Sequence, residues 1–105
     1  MYRVRSSIDN ENQAVLIAKE LVQSHAAVSV HIRTIRSVYQ WKEQVYDEQE
    51  WELESITSCP DEIERIIKGM HPYECPEILI DIIQTSDKIT EWITGWCKYN
   101  KDSEV

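Results

Sequence analysis

Val28-Ser29-Val30-His31-Ile32-Arg33-Thr34-Ile35-Arg36-Ser37-Val38-Tyr39-Gln40-Trp41 is the stretch whose reading decides the fold, because its side chains alternate in character along the chain. Val28, Val30 and Ile32 occupy even positions and are separated by Ser29, His31 and Arg33, the period of a strand with one buried face. Further on, the large residues Ile35, Tyr39 and Trp41 sit on odd numbers. A strand cannot move its apolar set to the opposite face without an inserted residue, so the pattern predicts a bulge or bend near Arg33 and Thr34 inside one long second strand. A polar connection around Lys42 to Glu50 follows. Trp51 and Leu53 then alternate with Glu50, Glu52 and Glu54, which reads as a third strand returning as the second arm of a hairpin.

Working outward, Met1 to Ser7 places Tyr2 and Val4 on one side and Arg3 and Arg5 on the other, giving strand one. Between it and the long strand, Ala14, Ile17, Ala18 and Leu21 fall at i, i+3, i+4 and i+7, so Asn12 to Ser24 reads as a helix capped by Asp9 or Asn10. On the other flank, Ser58 and Cys59 precede Pro60, Asp61 and Glu62, a helix-start signature. Ile63, Ile66, Ile67 and Met70 continue it as an apolar stripe, with Gly69 and Pro72 expected to end it. Pro76 to Gln84 reads as a fourth strand, and Asp87 to Cys97 as a closing helix with Ile89, Trp92, Ile93 and Trp96 on its apolar face. The order β-α-β-β-α-β-α predicts an α+β ferredoxin-like sandwich: a four-stranded antiparallel sheet, two main helices on one face, and an extended hairpin arm. One domain over residues 1–99 and a tail over 100–105 are expected. In such a sheet strand three lies between strands one and two, so Glu52 and Glu54 are predicted to pair across the ladder with Arg3, Arg5, His31 and Arg33.

Composition limits the function classes. With 105 residues, 42% of them hydrophobic and 29% charged, the chain can bury one core. A net charge of -8, with 11 basic residues scattered along the chain, argues against nucleic acid as a partner. No apolar run approaches a membrane span or a secretory signal. The three cysteines, Cys59, Cys75 and Cys97, are odd in number and lack CxxC spacing, which fits reduced thiols in the cytoplasm better than a disulfide framework.

Three segments together carry a family resemblance. Ser37-Val38-Tyr39-Gln40-Trp41-Lys42 resembles the Ser-Ile-Tyr-x-Trp-Lys segment of the CutA divalent-cation-tolerance family, and His71-Pro72-Tyr73-Glu74-Cys75-Pro76-Glu77-Ile78 resembles its His-Pro-Tyr-Glu-x-Pro-Glu-Ile segment. The looser Ala27 to Ile32 stretch is similar to the family's Ala-Ala-Cys-Val-Asn-Ile, and Trp92 falls where a family tryptophan sits in the last helix. The resemblance implies a homotrimer of ferredoxin-like subunits, clefts between neighbouring subunits, and an association with copper and other divalent cations. This chain departs from the pattern at Ile8 and Ser29, where the family often carries cysteines, and at Glu52 and Glu54, where it usually has uncharged side chains. Loss of both cysteines disfavours copper(I), which prefers soft thiolate ligands.

The candidate site residues follow. His71, Glu74 and Cys75 offer an imidazole, a carboxylate and a thiol to copper(II) or another divalent cation in an open, weak site; the plainer alternative is a proline-shaped turn in which His71 and Tyr73 make structural hydrogen bonds. Tyr39, Trp41, Lys42, Tyr73 and Trp92 are expected to line an interface cleft, with Ile35, Tyr39, Trp41 and Trp51 docking the arm on a neighbour. His25 and His31 stand isolated, and Cys59 reads as structural or capping. The acids from Asp47 to Glu54 lack the spacing of a calcium loop. No nucleophile and base stand at meaningful spacing, so a non-enzymatic role is expected: cation tolerance or response, or else a regulatory trimer like the PII signalling proteins, binding a small ligand between subunits.

Overall fold

Residues 1–98 are described by the computed structural model. The tail expected over 100–105, together with Tyr99, lies outside the described residues. The elements run β1 (Tyr2–Ile8), α1 (Glu11–Gln23), β2 (Val30–Trp41), β3 (Gln44–Thr57), α2 (Pro60–Met70), β4 (Leu79–Ile82) and α3 (Asp87–Trp96). The sheet has four strands in the order β2-β3-β1-β4, every neighbouring pair antiparallel, as the ferredoxin-like reading requires.

Apolar periodicity places the core. Val4, Ile8 and Leu53 from the sheet meet Ala14, Ile17 and Leu21 of α1 and Ile63 and Ile67 of α2. Each large aliphatic side chain buried this way stabilises the fold by about 1.5–3 kcal/mol. Asn10 caps α1 by accepting the Gln13 amide at 3.0 Å. At the other end of α1, His25 takes the left-handed conformation (φ 66°), and the Ala26 and His25 amides bond back to Leu21 O and Val22 O as in a Schellman ending. A residue with a Cβ is disfavoured there. Stacking of the His25 ring on Trp96, with centroids 3.8 Å apart, offsets the cost and docks α3.

The structure corrects four sequence expectations. No bulge interrupts the long strand: β2 and β3 pair without a break from Val30↔Ser55 to Trp41↔Gln44. The two apolar series therefore stay on opposite faces, the even one toward the helices and the odd one toward a loop on the other side. Strand three begins at Gln44 rather than near Glu50, because Lys42 and Glu43 alone make the turn, with φ of 48° and 67°. Gly69 does not end α2; the helix runs through it and stops at Met70 because Pro72 forces His71 into extended backbone (φ -77°, ψ 132°). β4 spans only Leu79–Ile82, pairing with β1 from Arg5↔Leu79 to Tyr2↔Ile82 and ending where its partner strand begins.

The expected polar sheet face is present. Arg33 reaches Glu54 at 3.1 Å and Glu52 at 3.5 Å, and Arg3 lies 3.9 Å from Glu54. The shortest pair was missed: Arg3 to Asp81 of β4 at 2.6 Å. That guanidinium holds the Asp81 carboxyl below its usual range.

Candidate functional site

β1 ends where Ile8 faces Trp51, so the β2–β3 pairs from Ile35↔Glu50 to Trp41↔Gln44 project beyond the sheet as a free arm. The segment between α2 and β4 folds against the root of this arm. Its anchor is His71, 8% exposed, whose Nε2–H donates to Ser7 O at 2.7 Å while Nδ1 accepts the Tyr73 amide at 3.2 Å. This arrangement fixes the tautomer as well as the ring plane, and the Tyr73 ring packs edge-on at 4.5 Å.

Tyr73 then reaches the arm. Its hydroxyl donates at 2.8 Å to Oε2 of Glu50, a carboxylate only 3% exposed. Burial, and next the hydrogen bond to Glu50, push the Tyr73 phenol far above its ordinary value. Further out, Tyr39 stacks on Tyr46 at 5.2 Å and donates to Glu48 at 2.8 Å. That hydrogen bond, aided by burial, pushes the Tyr39 phenol up to about 12. At the arm's tip Lys42 pairs with Glu74 at 3.2 Å, its ammonium 5.6 Å from the centroid of the Trp41 ring.

Between arm and loop lies a cleft of about 370 Å³. Ser7 and Asp9 line it from the end of β1, Ser37, Tyr39 and Trp41 from β2, and Tyr46 and Glu50 from β3. The loop contributes Tyr73, Glu74, Cys75 and Glu77. The sequence-predicted residues His71, Tyr73, Glu74, Cys75, Tyr39, Trp41 and Lys42 are thus gathered in one place. Trp92 is not; it lies on α3, 55% exposed, away from the residues lining the cleft. Trp51, expected on the arm, packs instead against the helix-side core. Asp9, Tyr46, Glu50 and Glu77 were missed as cleft residues. For Glu50 the usable signal was its position in register with Ile35, visible only once the hairpin turn is placed at Lys42 and Glu43.

The donor set bears on a resident metal. Both ring nitrogens of His71 already hold hydrogen bonds, and Glu74 is engaged by Lys42. Among the described residues no three His, Cys, Asp or Glu side chains converge as a metal-ligand group. The described residues of this chain do not fit a tightly held ion. They do create an anionic cleft, with Asp9, Glu50, Glu74 and Glu77 on its walls.

Comparison with known proteins agrees with this architecture. Residues 3–95 match the family model described as CutA1 divalent ion tolerance protein. The chain is 35% identical over 79 residues, 72% of its own length and 69% of the relative's, to a probable divalent-cation tolerance protein cutA homolog of Encephalitozoon cuniculi. It is 30% identical over 91 residues, 83% of this chain and 88% of the relative, to the divalent-cation tolerance protein CutA of Thermus thermophilus. In fold it superposes on the PII-like protein CutA from Nostoc sp. with a TM-score of 0.84 at 24% identity, over 90% of this chain and 95% of that one.

Proposed function

Since the chain belongs to the CutA1 divalent ion tolerance family, we propose that it works as a homotrimer in the tolerance of, or response to, divalent cations, with the cleft beneath the arm as its ligand site at a subunit boundary. The observation that carries this reading is the arm itself. It projects past the sheet with Val38 64% and Val45 75% exposed, and apolar surface held out from a small subunit is covered by association. The cleft walls supply the selectivity. Carboxylates in a partly desolvated groove concentrate cations, copper(II) among them, as hydrated ions, and repel phosphate.

A regulatory role of the PII type, with a small ligand between subunits, is the second reading, favoured by the fold likeness to the Nostoc protein. The same acids argue that such a ligand is uncharged or cationic rather than a nucleotide. Light scattering on the purified chain tests the assembly, and a mass of one subunit at micromolar concentration overturns it. Thermal-shift measurements with copper(II), zinc and ATP separate the ligand classes, because whatever binds only the folded state raises the melting temperature. Stabilisation by ATP and by neither cation would replace the first reading with a regulatory one and refute the argument that the acidic cleft rejects a nucleotide.

A further inference from the structure

Glu50 stands apart from the other acids of the hairpin. Asp47, Glu52 and Glu54 of the same strand are each paired with an arginine, although water reaches all three. Glu50 is the one acid among the described residues that the fold buries, at 3% exposed, and no cation of the described chain pairs with it. Its single hydrogen bond comes from a neutral group, the Tyr73 hydroxyl, which donates to Oε2 at 2.8 Å. Oε1 takes no hydrogen bond from any described residue, and Glu50 forms part of the cleft wall. A carboxylate withdrawn from water is costly unless a cation and further hydrogen bonds compensate it. The compensating group has one open approach, which is the cleft.

The rest of the wall selects the kind of cation. The phenol hydrogens of Tyr39, Tyr46 and Tyr73 are already engaged by Glu48, Gln44 and Glu50, so these residues offer a ligand ring surface in place of donors. Trp41 adds a fourth ring, and no lysine, arginine or histidine is among the residues lining the cleft. A divalent metal ion gains no ligand from a ring face, whereas an organic ammonium is attracted by the ring quadrupole and packs its alkyl body on the same surface. The chain already makes this contact once, at the mouth of the cleft. There the Lys42 ammonium lies 5.6 Å from the Trp41 ring centroid and 3.2 Å from Glu74, and both Trp41 and Glu74 line the cleft. At the root of the arm, Glu50 and Tyr73 repeat the pairing of acid and aromatic without a cation of the described chain.

We propose that, the cleft being the ligand site as read above, its occupant is a small protonated alkylamine whose N–H donates to Glu50 Oε1 and whose alkyl body lies against the aromatic wall. A volume of about 370 Å³ is at the lower end of small-molecule sites, which suits an amine of metabolite size rather than a peptide. Glu50 supplies the requirement for both charge and an N–H donor. Asp9, Glu74 and Glu77 raise the local concentration of cations and repel carboxylates.

The test is calorimetry on the full chain at about 0.15 M salt, where exposed charges are largely screened, with butylammonium chloride, butanol, sodium butyrate and, in a separate titration, copper(II). Butylammonium is expected to bind one per chain with a Kd below about 1 mM, within reach of so small a ligand. Butanol and butyrate are expected to bind at least about 10-fold more weakly, the order set by a charge-assisted hydrogen bond. Glu50→Gln keeps the side chain's size and an acceptor for Tyr73, and is expected to weaken butylammonium by about 10-fold or more. Should that variant fail to fold, the ranking of the three ligands on the native chain decides alone. Butanol binding as tightly as butylammonium, or a folded Glu50→Gln protein with native affinity, overturns the proposal. So does the absence of butylammonium binding: if copper(II) still binds, the amine alone is ruled out, and if copper(II) does not bind either, the reading of the cleft as a ligand site falls with it.

Discussion

Replacing His71 by alanine separates a structural imidazole from a metal-binding one. The substitution deletes the Nε2–H bond to Ser7 O and the acceptor for the Tyr73 amide, at a residue 8% exposed. Each hydrogen bond contributes about 0.5–1.5 kcal/mol net, and a partner left buried without water costs about 1–3 kcal/mol. Losing both bonds costs about 1–3 kcal/mol if water reaches the freed partners and about 2–6 kcal/mol if both stay dry, so about 2–4 kcal/mol is the central expectation, before any loosening of Tyr73 and its bond to Glu50. At a mid-range urea slope of about 2 kcal/mol per molar, the midpoint is expected to fall by about 1–2 M, measured at one fixed protein concentration because association adds to apparent stability. Calorimetry with copper(II) on the same folded variant is expected to give the native affinity. A midpoint within a few tenths molar of native, or a loss of copper(II) affinity in protein that is still folded, would refute the reasoning.

Three other outcomes follow from the charge and turn geometry. Asp81 has its folded-state pKa lowered by Arg3, so this pair stabilises the fold above the unfolded carboxyl value of about 4 and the stabilisation is lost as pH falls through the lowered value; in acid titrations of stability, Arg3→Met should flatten the dependence below pH of about 4. Tyr39 and Tyr73 are raised, so their contribution is present below pH of about 10 and lost as pH climbs past it. Ultraviolet titration should find Tyr39 ionising near 12 and Tyr73 only on unfolding, and Tyr39→Phe should remove the first of these steps. Glu43→Gly should stabilise the chain by up to about 1 kcal/mol in denaturant melts, because φ of 67° suits glycine and the Glu43 side chain is exposed; an unchanged or lower midpoint would mean the turn is not strained there.

The core was legible because it is written in local periods. Ala14, Ile17 and Leu21, or Ile63 and Ile67, declare one helix face without help from distant sequence, and Asn10 stands next to the helix it caps. The polar sheet face was legible too, since strand order and alternation together bring Arg33 beside Glu52 and Glu54. The failures share a cause: each depended on what covers a surface. The bulge was inferred from the rule that one face of a strand is apolar, but β2 uses one face for the helix layer and then the other for the loop carrying His71 and Tyr73. Trp92, assigned by likeness of position to a cleft between subunits, lies outside the residues that line the cleft of the single chain, and nothing in its local period says which side of the molecule α3 faces.

The arm couples assembly to the site. The strand pair that carries Tyr39, Trp41, Tyr46 and Glu50 on the cleft side carries Val38 and Val45 on the other, because alternate residues point to opposite faces. Two-stranded ribbons twist and bend readily when nothing packs on them. Among the described residues of the single chain, the cleft side is tied at its root by Tyr73 to Glu50 and at its tip by the exposed pair Lys42 and Glu74. An exposed ion pair of this kind contributes at most about 1 kcal/mol and weakens with salt. The outer face must therefore supply the rest of the arm's rigidity, and under the trimer proposed above a neighbour seated on Val38 and Val45 does so. The width of the cleft, and with it the spacing of Asp9, Glu50, Glu74 and Glu77, is then a property of the assembly, so a change at Val38 or Val45 is expected to weaken the cation binding proposed above, read by calorimetry with copper(II), without touching any residue of the cleft wall.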